Sequence, residues 1–595
     1  MDRLAPAKPN EADSFCSRWH LWLLGAILLA YVLIAWQAIH APLVVGDDTA
    51  EMAYLRSRPS ISSLLQMDCF FFFRPVKNLL FLGFDALLPL GMAASRLLAV
   101  AIGLASAAAV YALFRRLLPS ALAGLSAIAC WLLAPTLLSC TAWLSCVNIQ
   151  VMAGFAAVAI LLWLAAQEAA GRLRQRCLAG SWMATLLAVL CYEGAVCLPV
   201  VILLIDFYLY PDRLCGGRAW RTYLVPVSAV ILYLLLRTVR TTAAHQIFSP
   251  NFGELADGQI CAAAPWFFFQ HLSIWLWPFN RQAILGGYVP GQASLLALGC
   301  AWAGGLVLAA GCLLLRRRLP FAALGVAWCL TAFLPMSNIL AFRNGPYGDY
   351  YLALASMGLA LAFGWGIGML TGRGRRARGA LLVLAALAVW RLAAAGESFA
   401  WARAWNDPEE IARRTLQTFP RAFSVINECA RFRYRAGAYD ECQALTDRAL
   451  AISPRSREAH ELRALVAARH GNAALAQREL DRVMEYGGAD RSWSWYFQGF
   501  LLDEHRGDTN GAVRCYRQAI AKRAGWSPDV LDAMTALAYH AIHRGERGEA
   551  IALWEQVVQI DPARTRERQN LIRAYGEAGD RAKAQQHRQR LSQQP

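Results

Sequence analysis

Apolar runs of bilayer length recur from residue 19 to residue 395 and then stop, and this pattern limits the fold more than any other. A lipid-buried backbone must satisfy its own hydrogen bonds, so such runs become helices, about 20 residues for each crossing. Residues 19–39 reach that length behind the short basic flank Arg3, Lys8 and Arg18. The run exceeds the roughly 7–15 apolar residues of a cleavable signal, so it is expected to stay as a first membrane helix. Further spans are expected near 94–114, 121–138, 149–166, 178–191, 195–209, 223–236, 294–315, 321–341, 351–370 and 380–395, about eleven in all. Two more apolar segments, 74–90 and 265–279, are short and carry polar residues or Pro. They are expected to lie along the outer membrane surface.

The loops decide orientation. With eleven spans, fifteen arginines fall on one side: Arg115 and Arg116; Arg172, Arg174 and Arg176; Arg213, Arg218 and Arg221; Arg316, Arg317 and Arg318; Arg373, Arg375, Arg376 and Arg378. Short basic loops stay in the cytoplasm, which places residues 1–18 there. The net charge of +17 is therefore a topology signal, and no nucleic-acid partner is expected. An odd count puts the C-terminal part outside. The expected layout is a membrane domain over 19–396, with a first outer loop at 40–93, and an extracytoplasmic domain over 397–595. A chain that is 57% hydrophobic and 17% charged, with the charge gathered after residue 397, is neither one soluble enzyme nor a fibrous or disordered protein. Its Ala-, Leu- and Arg-rich composition and compact loops point to a bacterial inner membrane, with the tail in the periplasm. The sixteen cysteines show no CxxC pair and lie mostly in apolar runs. Zinc and disulfide frameworks are not favoured, and the close pairs Cys140/Cys146 and Cys429/Cys442 read as packing residues.

After Glu397 the period changes. Gly437, Gly471, Gly507, Gly545 and Gly579 recur with a period of about 34 residues or slightly more. A small residue follows each of them at one fixed offset: Cys442, Ala476, Ala512, Ala550 and Ala584. Gly at a turn and a small residue where helices cross, at this spacing, resembles the tetratricopeptide repeat over about 423–591. The resemblance implies an α-solenoid with a concave surface for another chain. Trp493, Trp495 and Tyr496 either contact such a ligand or stack between repeats.

Chemistry-bearing residues gather at the outer ends of the membrane runs. Directly after the first run comes Val44-Val45-Gly46-Asp47-Asp48-Thr49-Ala50-Glu51. Adjacent carboxylates in a low-dielectric cleft repel, one pKa rises, and a carboxylate so tuned can act as a general base. An isolated acidic pair would more simply be a solvated turn. Farther on stand Arg74-Pro75-Val76-Lys77-Asn78, then Leu334-Pro335-Met336-Ser337-Asn338, and Gly348-Asp349-Tyr350 leading into Tyr351-Leu352-Ala353-Leu354-Ala355-Ser356. Glu193, in Cys191-Tyr192-Glu193-Gly194, marks a break between two spans, where an ionisable group is commonly functional. Arg237, Arg240 and Arg281 lie outside against the orientation trend and either contact a phosphate or snorkel at helix ends. His271 and Asn280, among Trp275, Trp277 and Phe279, line a groove or belong to an interfacial aromatic belt. HExxH, Walker and GxSxG patterns are absent.

Taken in order, the acidic pair, the Arg-Pro segment, the LPxSN run and the YLxLxS run resemble the polytopic GT-C glycosyltransferases. More narrowly, they resemble the O-mannosyltransferases that join a membrane domain to tetratricopeptide repeats. The resemblance implies an all-α chain, a polytopic helical domain of about eleven spans followed by an α-solenoid. It implies transfer of a sugar from a polyprenyl-phosphate donor, with no nucleotide sugar bound directly, to an extracytoplasmic acceptor, a protein recruited by the repeats. Asp48 or Asp47 would be the base, with Asp48 slightly preferred. Arg74, Lys77, Glu193, Arg343 and Asp349 would face the donor. The family's acidic–basic pair is replaced here by Gly348-Asp349-Tyr350, so Arg343 would supply the basic charge and mannose is not implied. The rival readings are a polyprenyl-linked glycan polymerase or ligase, a membrane scaffold and, last, a transporter.

Overall fold

The computed structural model describes residues 12–43, 48–56, 64–66, 68, 72–137, 139–214, 219–240, 257–277, 279, 293–337, 339, 348–371, 377–523 and 526–592. Among these residues all regular elements are helical. The chain divides into two compact units, Met1–Leu43 with Phe73–Val425, and Val44–Phe72 with Ile426–Pro595. The division falls C-terminal to the expected boundary at 396, and it groups residues 44–72 with the repeats rather than with the membrane helices.

The first unit runs α1 (Ala12–Trp36), α3 (Pro75–Leu87), α4 (Met92–Leu117), α5 (Ala121–Leu132), α6 (Val147–Glu168), α7 (Gly171–Cys191), α8 (Leu198–Leu209), α9 (Ala219–Arg240), α10 (Asp257–Leu276), α11 (Leu295–Leu315), α12 (Pro320–Phe333), α13 (Ala355–Thr371), α14 (Ala377–Ala404) and α15 (Pro408–Thr418), while α2 (Asp48–Arg56) belongs to the second. Among the described residues, five helical stretches are long and apolar enough to cross a membrane: Trp19–Trp36, Met92–Leu117, Leu144–Glu168, Trp220–Val239 and Leu295–Leu315. A sixth is reached if the bent pair Ala121–Leu132 and Pro135–Ala142 counts as one span. Among the described residues the other expected spans take other forms. The 178–191 run is the end of a helix that opens with Arg172, Arg174 and Arg176, the 195–209 run gives a 12-residue helix, and Pro320–Met336 and Ala355–Leu370 are short. The 380–395 run lies in the 28-residue α14, where the side chains of 377–381, 383 and 384 are outside the described residues. Of the two surface segments, 74–90 becomes α3 plus a 3-10 turn, and 265–279 falls largely within the 20-residue α10.

Backbone close approach sets the packing around α13. A Cβ on Gly325 would stand 2.4 Å from the Gly358 carbonyl oxygen, and one on Gly364 would stand 2.4 Å from that of Ala123. Small residues let apolar helices reach this distance and gain dispersion contacts along their length. Two indoles then fix the segment leading into α13: Trp131 Nε1 donates to the Ala353 carbonyl at 2.8 Å and Trp328 Nε1 to that of Leu354 at 3.2 Å. The conformation of the YLxLxS run is thus held by side chains from α5 and α12.

The second unit is a run of helical hairpins: α16 (Phe423–Arg435), α17 (Tyr439–Ile452), α18 (Arg457–Arg469), α19 (Ala473–Glu485), α20 (Ser492–Arg506), α21 (Thr509–Ala521), α22 (Pro528–His543), α23 (Arg547–Ile560), α24 (Thr565–Glu577) and α25 (Arg581–Ser592). The five expected glycines end the first helix of each hairpin with φ between 64° and 82°, the left-handed region that Gly enters without a Cβ penalty. Cys442, Ala476, Ala512, Ala550 and Ala584 are all buried where the hairpin helices cross. Each hairpin buries its apolar stripe against the next, as in the cluster of Ala538, Trp554, Val558 and Leu571. Helix α2 packs on α23 within this unit.

Candidate functional site

Arg74 precedes Pro75, which occupies the first helical position of α3. Proline fits there because its missing N–H would have no helical partner. It also keeps the preceding residue out of the helical region, and Arg74 takes φ −130°, ψ 66°. From this bend its guanidinium meets Glu193, the first residue of a 3-10 turn beyond α7. Nε donates to Oε2 at 2.8 Å and Nη2 to Oε1 at 2.5 Å, a two-pronged ion pair with both residues buried. The guanidinium lies 4.5 Å over the Tyr192 ring. Burial pushes the Glu193 carboxyl up, but Arg74, with a smaller contribution from Arg237, outweighs it and holds the group below the usual carboxylate value.

Tyr192 extends the cluster by donating its hydroxyl to Met336 Sδ at 3.2 Å. Electrostatics also couple it to Tyr351 as well as to Arg74 and Glu193. Tyr351 packs edge-on to Tyr350 and stacks with His271, whose ring also faces Phe333. The imidazole is held at both nitrogens. Nδ1 is 2.7 Å from the Phe267 carbonyl, which can only accept, and Nε2 receives the Gly348 N–H at 3.2 Å. That pairing fixes the neutral Nδ1–H tautomer, and burial lowers the pKa to about 4 despite the two hydrogen bonds. His271 thereby ties α10 to the turn Asp349–Leu352.

Four segments far apart in sequence, at 74, 192–193, 336 and 348–351, therefore converge within the first unit. Arg74 and Glu193, expected separately as donor contacts, pair with one another, so Glu193 already balances the Arg74 charge. Lys77 is buried on α3, its Nζ 5.6 Å from the centre of the Phe81 ring. Arg237, at the end of α9, hydrogen-bonds Tyr233 and contributes to the field at Glu193. Asp48 is fully buried at the first position of α2, in the unit that contains the repeats, with Glu51 in the same turn. Carboxylates there are favoured by the partial positive charge of the helix N-terminus. Asp47, Asn280, Arg281 and Arg343 lie outside the described residues, as do the side chains of Arg240 and Asp349. Tyr192, Met336 and Tyr351 are partners that sequence reasoning does not single out. Their only advance signal is that each sits inside a motif chosen for another residue.

Residues 501–594 match a family described as the bacterial transcriptional activator domain. No curated protein matches the chain. Among solved structures, the chain is similar to MamA, at 18% identity over 28% of this chain and 89% of that one, with a TM-score of 0.23. It is similar to PilF of Pseudomonas aeruginosa at 15% identity over 29% and 75%, TM-score 0.26. YrrB, described as a TPR protein with an unusual peptide-binding site, gives 15% identity over 31% and 91%, TM-score 0.22. With its glycine-turned hairpins and buried small residues at each crossing, the C-terminal part of the chain is a tetratricopeptide-type repeat region.

Proposed function

We propose that the chain is a GT-C-type membrane glycosyltransferase, moving a sugar from a polyprenyl-phosphate donor to an extracytoplasmic acceptor, a protein presented to it by the repeats. The observation that carries this reading is that Arg74, Met336 and Tyr351, from the Arg-Pro, LPxSN and YLxLxS segments on which the GT-C resemblance rests, converge around Tyr192 and Glu193. On this reading the chain crosses a bacterial inner membrane eleven times, with shorter helices packed inside the bundle and the repeats in the periplasm.

The chemistry is an inverting displacement. The acceptor oxygen forms a bond to the anomeric carbon, the bond from that carbon to the phosphate oxygen breaks, and polyprenyl phosphate leaves with the electron pair. Asp48 or Asp47 takes the acceptor proton. Because Glu193 offsets Arg74, the pair orders the turn at 192–197, and the leaving phosphate falls to Lys77, Arg237, Arg343 and the polar groups near Asp349. Fixed cations in a water-poor site stabilise the charge that develops on the leaving oxygen.

The test is an Asp47→Ala plus Asp48→Ala variant assayed in isolated membranes with a radiolabelled polyprenyl-phosphate sugar. Loss of a general base is worth about 10²–10⁴-fold in rate, so transfer to protein should fall by at least that lower figure. Full transfer by the double variant removes the base. Label entering polysaccharide rather than protein favours the polymerase or ligase reading, and no transfer by the unaltered chain favours a scaffold.

A further inference from the structure

Midway along α14, Arg391 is 7% exposed, in a stretch of helix that is otherwise apolar. Its Nη2 donates to Cys130 Sγ at 2.9 Å, a weak acceptor. The guanidinium lies 4.1 Å from the Trp390 ring centre and 4.7 Å from that of Trp275. Among the described residues Nε and Nη1 have no acceptor, and neither does the neighbouring Trp275 Nε1–H. No carboxylate among them pairs with Arg391. The contrast within the same unit is Asp206, a buried charge that receives hydrogen bonds from Arg213, Trp163 and Tyr223.

Aromatic faces recover only part of what a buried unpaired charge loses on leaving water. The C-terminal end of α10 is close, since Trp390 Nε1 donates to the Leu276 carbonyl. Its dipole favours a cation weakly but supplies none of the missing acceptors. The donors therefore ask for an anion. On the same helix Leu382, Val389 and Leu392 are exposed, as are Leu276 and Trp277 at the end of α10. An anion arriving there brings an apolar body with it.

We propose that Arg391, boxed by Trp275 and Trp390, anchors a site for a phosphate group carried on a long apolar tail. Phosphate oxygens accept from the guanidinium and from the Trp275 indole, and the tail lies on the exposed leucines of α14. A polyprenyl phosphate and a bilayer phospholipid both present this chemistry. Trp275 is one turn of α10 beyond His271, so a donor lipid would reach the converging segments directly. The site itself does not require the glycosyl-transfer reading, which enters only in naming polyprenyl phosphate as one source.

Native mass spectrometry of the purified, delipidated full chain in non-ionic detergent tests the site. The probes are decaprenyl phosphate and dioleoyl phosphatidylglycerol, each against its uncharged counterpart, decaprenol or dioleoylglycerol. One charged hydrogen-bonded contact is worth about 1.5–3 kcal/mol, so the unaltered chain should prefer at least one phosphate lipid by about tenfold or more. The preference should vanish in Arg391→Met and in Arg391→Gln. A preference confined to decaprenyl phosphate assigns the site to the donor carrier, and one confined to phosphatidylglycerol assigns it to a bilayer lipid. Equal preference for both leaves phosphate as the recognised group. Arg391→Met also removes an unbalanced buried charge, so the lipid-free variant should melt no lower than the unaltered chain. The site is overturned by no preference in the unaltered chain, by a preference that survives both substitutions, or by a lowered melting temperature in Arg391→Met. Because binding is read without sugar transfer, this result is separate from that of the transfer assay.

Discussion

Glu193 and Arg74 show how a buried ion pair behaves when each partner is the other's main compensation. Glu193→Ala leaves a guanidinium in a desolvated pocket and is expected to lower stability by about 3–5 kcal/mol, whereas changing both residues to Met should recover most of the loss. Thermal unfolding of the purified chain in detergent checks this. Equal losses in the single and double variants would contradict it. The pair also sets a pH dependence. Because the folded carboxyl sits below its unfolded value, its contribution is full above about pH 4.3 and disappears as pH falls through the lower folded value. The stability gap between the unaltered chain and Glu193→Gln should therefore close on acidification below about pH 4. Glu193 could be picked from sequence because a carboxylate between apolar runs is costly. Its partner could not, since Arg74 lies far from it along the chain and nothing in either segment encodes their meeting. Arg391 carries the same signal as Glu193, a charge inside an apolar run, but without a neighbouring motif to draw attention to it.

Helix-level features divide by whether their cause is local. The repeat hairpins were legible because a left-handed turn glycine and a small crossing residue recur at fixed spacing, and both requirements act within one unit of the repeat. Membrane helices were less so. Apolar composition alone predicts a span at 178–191, yet the helix begins at Gly171 with three arginines and takes its length partly from them. The 121–138 run breaks at Leu133-Ala134-Pro135, where proline cannot continue the hydrogen-bond ladder. The contact of α12 with α13 depends on Gly325 and Gly358, one on each helix, and is a tertiary fact that neither segment announces. Gly325→Ala would drive a Cβ into the Gly358 carbonyl and is expected to cost about 1–3 kcal/mol. Gly311→Ala on α11 has nothing within 4 Å and should be neutral or favourable by up to about 1 kcal/mol. Melting curves of the two variants in detergent check the contrast, and similar shifts would contradict it.

For the molecule as a whole, the grouping of residues 44–72 with the repeats carries a consequence for function. The segment bearing Asp48 is held by α23, in the part of the chain proposed to recruit the acceptor. Only the order of motifs was legible here: sequence places the acidic pair after the first helix, but the surface on which that segment folds belongs to a helix near the C-terminus. Sugar transfer outside the cytoplasm requires the repeats, the Asp48 segment and the lipid-borne sugar to share one compartment, with the arginine-rich loops in the other. Protease accessibility in spheroplasts tests this directly, with one epitope tag at the C-terminus and another inserted in the loop at 169–171. The C-terminal tag should be cleaved from outside in intact spheroplasts, while the loop tag survives until the membrane is opened. A C-terminal tag protected in intact spheroplasts and cleaved only after lysis would contradict the proposed function.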